Sequence, residues 1–271
     1  MTRSTRQIIT RSTKWWRVLG SLAAVAMLGW SLLWVVTMVA RHTEEFDKSV
    51  PAAEATSLRV EIGAGTLEIV GNDTSMISVR ATFTDGLFDS DHTETFDGNT
   101  FVVTSECAFS RGPLAGGPNG CAADYRIEVP SSLDVRVVAT DTAVSLRGLA
   151  GKVDVRTSNN RISAEDLAGA VRLETSNDEI EAYRLGSGPV WMRTSNDRVT
   201  AQFSDSPDQV DVRTSNGSVS LMLPDTPAAF ATDVSTSNGD TKTKIRTDPD
   251  SPRRIRVRTS NDDVSITYST D

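Results

Sequence analysis

Apolar and charged residues alternate at period two through most of this chain. Val153 and Val155 alternate with Asp154 and Arg156; Thr157-Ser158-Asn159-Asn160 then interrupts, and Ile162 and Ala164 alternate with Ser163 and Glu165. A period of two sends one side chain inward and the next outward, so each such unit predicts two short strands with one buried face apiece. The register recurs at Val171, Leu173, Ile180 and Ala182, at Val210, Val212, Val219 and Leu221, and at Ile255, Val257, Val264 and Ile266. Between the paired strands the chain spells Thr-Ser-Asn six times. The threonines are Thr157, Thr175, Thr194, Thr214, Thr236 and Thr259, at spacings of 18, 19, 20, 22 and 23 residues, and Asn159, Asn177, Asn196, Asn216, Asn238 and Asn261 follow them. Asn followed by Asn, Asp or Gly suits a turn that needs positive φ. Two degenerate copies keep the spacing without the letters. One is Val135, Val137 and Ala139 with Val144 and Leu146; the other is Val60 and Ile62 with Leu67 and Ile69 around Gly63-Ala64-Gly65.

Repetition at this period marks stacked architectures. The competing reading is a row of separate hairpins, for which Asn-Gly between alternating strands is a strong local signal. Energetics count against independent units. About six inward residues contribute roughly 1.5–3 kcal/mol each when buried, while ordering some twenty residues costs about 1–2 kcal/mol each. A unit must therefore be covered by its neighbours. Stacking at about 4.8 Å would align the threonines into one internal ladder and the asparagines into a second beside it, amide on amide. The expected fold is all-β: a single-stranded β-helix-like solenoid preceded by one transmembrane helix.

The amino-terminal end carries a different pattern. Residues 1–17 hold Arg3, Arg6, Arg11, Lys14 and Arg17 and no acid, and residues 18–40 hold no charge at all. That run is long enough to cross a bilayer as a helix. A cleaved signal peptide is the rival, but its apolar core is normally shorter, and Met38-Val39-Ala40 makes a poor cleavage site. All 36 acids lie after Ala40, with 23 of the 28 Lys and Arg, so the remainder is acidic by 13 charges. The positive-inside rule places the basic tail in the cytoplasm and the rest outside, and an acidic exterior argues against nucleic acid as a partner.

Residues 41–57 read as a tether and residues 58–271 as the solenoid, with a polar surface excursion at about 84–124. Inside that excursion Cys107 and Cys121 bracket a Gly/Pro-rich loop. Outside a membrane a disulfide is the simplest reading; unpaired thiols and a zinc pair are the alternatives. The repeats, the segment Tyr125-Arg126-Ile127-Glu128-Val129-Pro130 and the anchor resemble the bacterial toastrack family of adhesin-type β-strand-repeat domains. The likeness covers Leu58 to Tyr268. It implies a β-helix-like ectodomain with envelope-stress or cell-surface roles, and it supplies no catalytic residues. This chain departs from the family's common turn by carrying Asn160, Asp178, Asp197 and Asp262 where Gly is usual.

No catalytic or metal-binding constellation stands out, and no cofactor is expected. Asp178 and Asp197 on neighbouring units would suit a calcium or an acid–base pair, but the interrupted row supplies too few oxygens for a metal, and Asp following Asn in a solvated turn is the preferred reading. Leu223-Pro224-Asp225-Thr226-Pro227 resembles a sorting signal without its final Gly and reads as a loop. The outward rows carry more. Arg156, Glu174, Arg193 and Arg213 should line one exposed row, and Asp154, Arg172, Trp191 and Asp211 another. Alternating charges set register, whereas a Trp on a solvent row wants a partner, either another molecule or the long excursion folded over it. Trp191, Arg156, Arg193 and Arg213 are therefore the candidate contact surface, for a protein or a cell-envelope glycan. The last unit, Ile255 to Tyr268, looks like an uncapped edge through which copies would associate. Binding or scaffolding without catalysis is the expected role; a glycan-active β-helix enzyme and a self-stacking structural scaffold are the alternatives.

Overall fold

The computed structural model describes residues 18–31, 42–85, 90–107 and 122–269. Helix α1 (residues 18–31) comes first, and no described helix is long and apolar enough to cross a membrane. The rest of the expected span, residues 32–40, lies outside the described residues, as do Cys121 and the side chain of Cys107.

Six strands build the first part of the domain: β1 (His42–Pro51), β2 (Ser57–Asn72), β3 (Met76–Asp85), β4 (Ser90–Asp97), β5 (Thr100–Cys107) and β6 (Ala122–Pro130). β7 (Asp134–Leu149) follows and, like β2, is sixteen residues long. These two long strands lie parallel along their whole lengths, Leu58 beside Val135 and Leu67 beside Val144. The first half of each pairs with one series of strands, the first sheet, and the second half with another series, the second sheet. On the far side of β2, β5 pairs with the first half and β6 with the second.

From β7 onward each coil contributes one short strand to each sheet. The first sheet continues through β8 (Val153–Arg156), β10 (Val171–Glu174), β12 (Val190–Arg193) and β14 (Gln209–Arg213). The second continues through β9 (Ile162–Leu167), β11 (Ile180–Leu185), β13 (Val199–Phe203) and β15 (Val219–Leu223). All these pairings are parallel and residue-for-residue, except for one shift between Ala182 and Leu185. Such a register is what period-two burial demands, because a one-residue slip would turn every apolar side chain outward. Val153, Val155, Leu173, Met192 and Val212 from one sheet, and Ile162, Ala164, Ile180, Ala201 and Leu221 from the other, are buried in a single core between them.

The stacking order departs from chain order at the far end. β16 (Ala231–Ser235) and β17 (Thr241–Lys244) do not pair with β14 and β15. Instead β18 (Arg254–Arg258) and β19 (Val264–Tyr268) fill the gap, with Val212 beside Val257 and Val257 beside Val234. The last unit of the chain is thus paired on both sides, which corrects the expectation that Ile255 to Tyr268 forms the free edge. The outermost rung is β16 and β17. Its inward positions explain the order: Thr241 and Thr243 occupy places taken by Val264 and Ile266 one rung earlier, and both are exposed. A rung with a polar inner row stabilises the end of a solenoid, whereas an apolar one would have to be covered. Lys242 and Lys244 project from the same strand, a pattern that discourages further strand pairing.

The opposite end is closed by strands read from composition as tether and excursion. β1 runs antiparallel to β3 for ten residues, and β4 runs antiparallel to β5. Period two was present but masked by polar residues. On β1 the half-buried positions are Phe46, Lys48 and Val50, with Lys48 donating to the Glu94 carbonyl at 3.0 Å. On β4 they are His92 and Glu94, and His92 stacks on Phe83 at 4.3 Å.

The corners also differ from expectation. Among the described residues positive φ occurs at Gly65, Gly98, Gly148, Asp166 and Arg184, and at none of the Thr-Ser-Asn corners. A hairpin corner reverses the chain and needs such a residue. Here the corner only carries the chain from one sheet to the other, and it is held by backbone bonds between successive corners, such as Ser195 N–H to the Ser176 carbonyl at 3.2 Å, and by side chains. Thr175 donates to the Asn160 carbonyl at 3.1 Å, Thr194 to Asp178 at 3.0 Å, Thr214 to Asp197 at 3.2 Å, Thr259 to Gly217 at 3.0 Å and Thr236 to Asp262 at 2.9 Å. Thr157 donates to Thr140 and Thr142. Outside this ladder runs the asparagine ladder, each Nδ2 donating to the Oδ1 of the rung before: Asn177 to Asn159, Asn196 to Asn177, Asn216 to Asn196, Asn261 to Asn216 and Asn238 to Asn261. Both ladders show the same displaced order, 259 before 236. At Gly217 the rungs approach so closely that a Cβ would lie 2.0 Å from the Asp197 carbonyl oxygen.

Two predictions follow from the ladders and their order. Thr194→Val keeps the shape of a side chain that is 2% exposed but removes its donor, so chemical denaturation should show a loss of about 1–3 kcal/mol; an unchanged midpoint would contradict the ladder's role. Deleting residues 254–271 removes the rung on which β16 and β17 rest. Hydrogen exchange should then show their amides unprotected, and protection that persists would mean they stack on β14 and β15.

Candidate functional site

The outward face of the first sheet collects the residues singled out by their chemistry. Because alternate residues of each strand point outward, Arg136, Asp154, Arg172, Trp191, Asp211, Arg256 and Asp233 form one row across neighbouring strands. Val138, Arg156, Glu174, Arg193, Arg213, Arg258 and Ser235 form the next. Most charges on this face are paired locally. Arg156 reaches Asp154 and Glu174, both at 3.7 Å, and Arg172 reaches Glu174 at 3.2 Å. Arg213 pairs with Asp211 at 3.0 Å, while Arg256 and Arg258 share Asp233 at 3.1 and 3.2 Å.

Trp191 lies half-buried in the middle of this face, and the guanidinium of Arg172 lies 3.6 Å above its ring. A cation over an indole face contributes about 0.5–1 kcal/mol when exposed and more when desolvated, so the Trp has an intramolecular partner on the adjacent rung. Arg193, two residues along the same strand, is exposed and forms no ion pair among the described residues. Toward the amino-terminal end the same face holds a cavity of about 310 Å³, lined by Arg59, Arg136, Lys152, Asp97, Asp134 and Asp154 among others.

The corner carboxylates have a local use. Asp178, Asp197 and Asp262 each accept the N–H of the following residue, at 2.8, 2.7 and 2.7 Å. Among the described residues no group of three or more His, Cys, Asp or Glu is arranged to hold a metal ion. Just before the strands of the second sheet, buried Glu179 lies between Arg161 and Arg198 of the flanking rungs, accepting from Arg198 at 2.6 Å. Arg184, at φ 52°, clasps Asp166 and Glu165. The Leu223-Pro224-Asp225-Thr226-Pro227 loop is tied to Arg246 through Asp225 at 2.8 Å.

Sequence reasoning placed Arg156, Arg193, Arg213 and Trp191 on their outward rows but missed Arg258 as the neighbour of Arg213. Chain order puts Ser235 there, and only the displaced rung brings Arg258 in. The inner row of β16 and β17 carried the available signal, being too polar to sit mid-stack.

Comparison with family models and with curated sequences gives no match. Among solved structures the chain is similar to a candidate cell adhesion protein from Clostridium sporogenes, at 11% identity and a TM-score of 0.38 over 84% of this chain and all of that one. It is similar also to a candidate adhesin from Parabacteroides merdae, at 9% identity and 0.34 over 82% of this chain and 96% of that one. A third is a candidate lipid-binding protein from Parabacteroides distasonis, at 11% identity and 0.31 over 84% of this chain and 97% of that one.

Asp233 gives the face a measurable electrostatic signature. The Arg258 hydrogen bond, supported by Arg256, holds its carboxyl below the usual carboxylate range. A depressed folded-state value means its contribution is present above the unfolded value, about 4, and is lost as pH falls through the folded value. Carboxyl NMR should find the Asp233 midpoint below that of an ordinary aspartate, and Arg258→Ala should move it upward. A midpoint indifferent to Arg258 would contradict the pairing.

Proposed function

We propose that this chain is a single-pass membrane protein displaying a rigid, noncatalytic β-solenoid outside the cell, which works by binding along its repeated outward rows. Residues 1–17 form the cytoplasmic tail and residues 18–40 the anchor. In α1 every described side chain is exposed, the apolar Val18, Leu19, Leu22, Val25, Met27, Leu28 and Trp30 among them. An uncharged run of that length, continued as helix, reaches about 34 Å, enough for a hydrocarbon core of about 30 Å. The strand beginning at His42 leaves almost no tether, so the domain stands close to the bilayer.

The observation that carries the binding role is the division of labour between faces. Inward residues are consumed by one continuous core, so what the domain presents is two broad sheets whose side chains repeat rung by rung. Such a surface suits an extended or repeating partner more than a small molecule, which favours a concave, mostly apolar site.

Protease added to intact cells should remove a tag fused after Asp271, and a photo-crosslinking residue at position 191 should capture envelope material that the same residue at Thr200, on the second sheet, does not. A protected tag would overturn the topology. Equal capture from both faces would overturn the binding face.

A further inference from the structure

We infer that the outward face of the first sheet binds a linear acidic polysaccharide, with Arg193, Arg213 and Arg258 taking its carboxylates and Trp191 meeting a sugar ring. This rests on the binding reading above and adds the chemical class of the partner.

The three arginines occupy consecutive rungs of one row, Arg193 beside Arg213 and Arg213 beside Arg258. Neighbouring strands place them about 4.8 Å apart. Elsewhere on this row charges alternate, as with Arg156 and Glu174, and register-setting accounts for them. It does not account for three like charges directly opposite one another, which destabilise a sheet. Asp211 and Asp233 relieve Arg213 and Arg258 from the side, but Arg193 is left without a carboxylate among the described residues. Arg254, which begins the same strand as Arg258, is exposed and, unlike Arg258, forms no ion pair among the described residues. An arginine pattern that costs stability is explained by an anion that arrives from outside.

Charge complementarity selects the partner. Acids outnumber bases in the chain beyond Ala40, yet around β12, β14 and β18 the balance is reversed. A local basic face on an acidic domain suits a polymer of moderate charge density that follows the row, while the surrounding acids repel a dense polyanion at longer range. Guanidinium forks match carboxylates in a bidentate geometry. Trp191 adds what a bare polyanion does not need: a broad, partly exposed aromatic side chain two residues from Arg193 on the same outward face, with Arg172 over one side of its ring and the sugar meeting the part left open. An aromatic beside a cation fits the apolar face and the carboxylate of one acidic sugar.

The test uses the full chain in detergent, with oligogalacturonate as the acidic probe and a neutral glucan of equal length and inorganic polyphosphate as comparisons. Calorimetry should show oligogalacturonate binding that weakens with added salt, no binding of the neutral glucan, and weaker binding of polyphosphate. Arg193→Ala and Trp191→Ala should each weaken the acidic glycan by about tenfold, while Arg161→Ala, just before β9 of the second sheet, leaves it unchanged. Thermal melts of the variants confirm folding, and Arg193→Lys, which keeps charge but loses the fork, should recover only part of the affinity. The inference is overturned if oligogalacturonate does not bind, if polyphosphate binds as tightly, or if Arg193→Ala has no effect in a folded chain. Should position 191 still capture envelope material in intact cells while oligogalacturonate fails to bind, the binding face stands and the glycan assignment falls.

Discussion

Rung-on-rung register is the constraint from which the rest of this structure follows. Each coil is too small to bury its own inward residues, so its apolar side chains stay dry only when the coils above and below match it residue for residue. Parallel pairing enforces that match on the two sheets. At the corners, where strand pairing stops, a few backbone bonds such as Ser195 N–H to the Ser176 carbonyl continue it together with threonine hydroxyls and asparagine amides. These ladders explain why one tripeptide recurs where the turn itself has no positive φ to demand it.

The same constraint determines what an end must look like. An internal coil has apolar inward residues because it is covered on both sides; a terminal coil is covered on one. Both ends of this domain meet the difference with polar inner rows, Lys48, His92 and Glu94 at one end and Thr241 and Thr243 at the other. The displaced order of the last two coils is then economical: the more apolar coil, with Ile255, Val257, Val264 and Ile266, takes the covered position, although it comes later in the chain. That exchange also brings Arg258 beside Arg213 and creates the arginine run on the first sheet.

The repeating coils were legible in the sequence because period two, apolar content and the Thr-Ser-Asn spacing all agree there. Val153, Ile162, Val210 and Val219 announce their faces without help. The capping strands were not legible, since β1 and β4 have the period of strands with the composition of linkers: Lys48 between Phe46 and Val50 hides the buried face of β1. Stacking order was not legible from spacing alone either, since spacing records neighbours along the chain and not neighbours in space. As for the candidate site, the outward placement of Trp191 and Arg193 could be read from alternation, but the Arg172 contact with Trp191 depends on which rungs are adjacent.

The most direct test of stacked, displaced rungs is a set of cross-strand nuclear Overhauser effects from Val212. The structure requires contacts between its backbone and that of Val257, with Val257 in turn contacting Val234. Contacts running straight from Val212 to Val234, with Val257 at the outer edge, would contradict it.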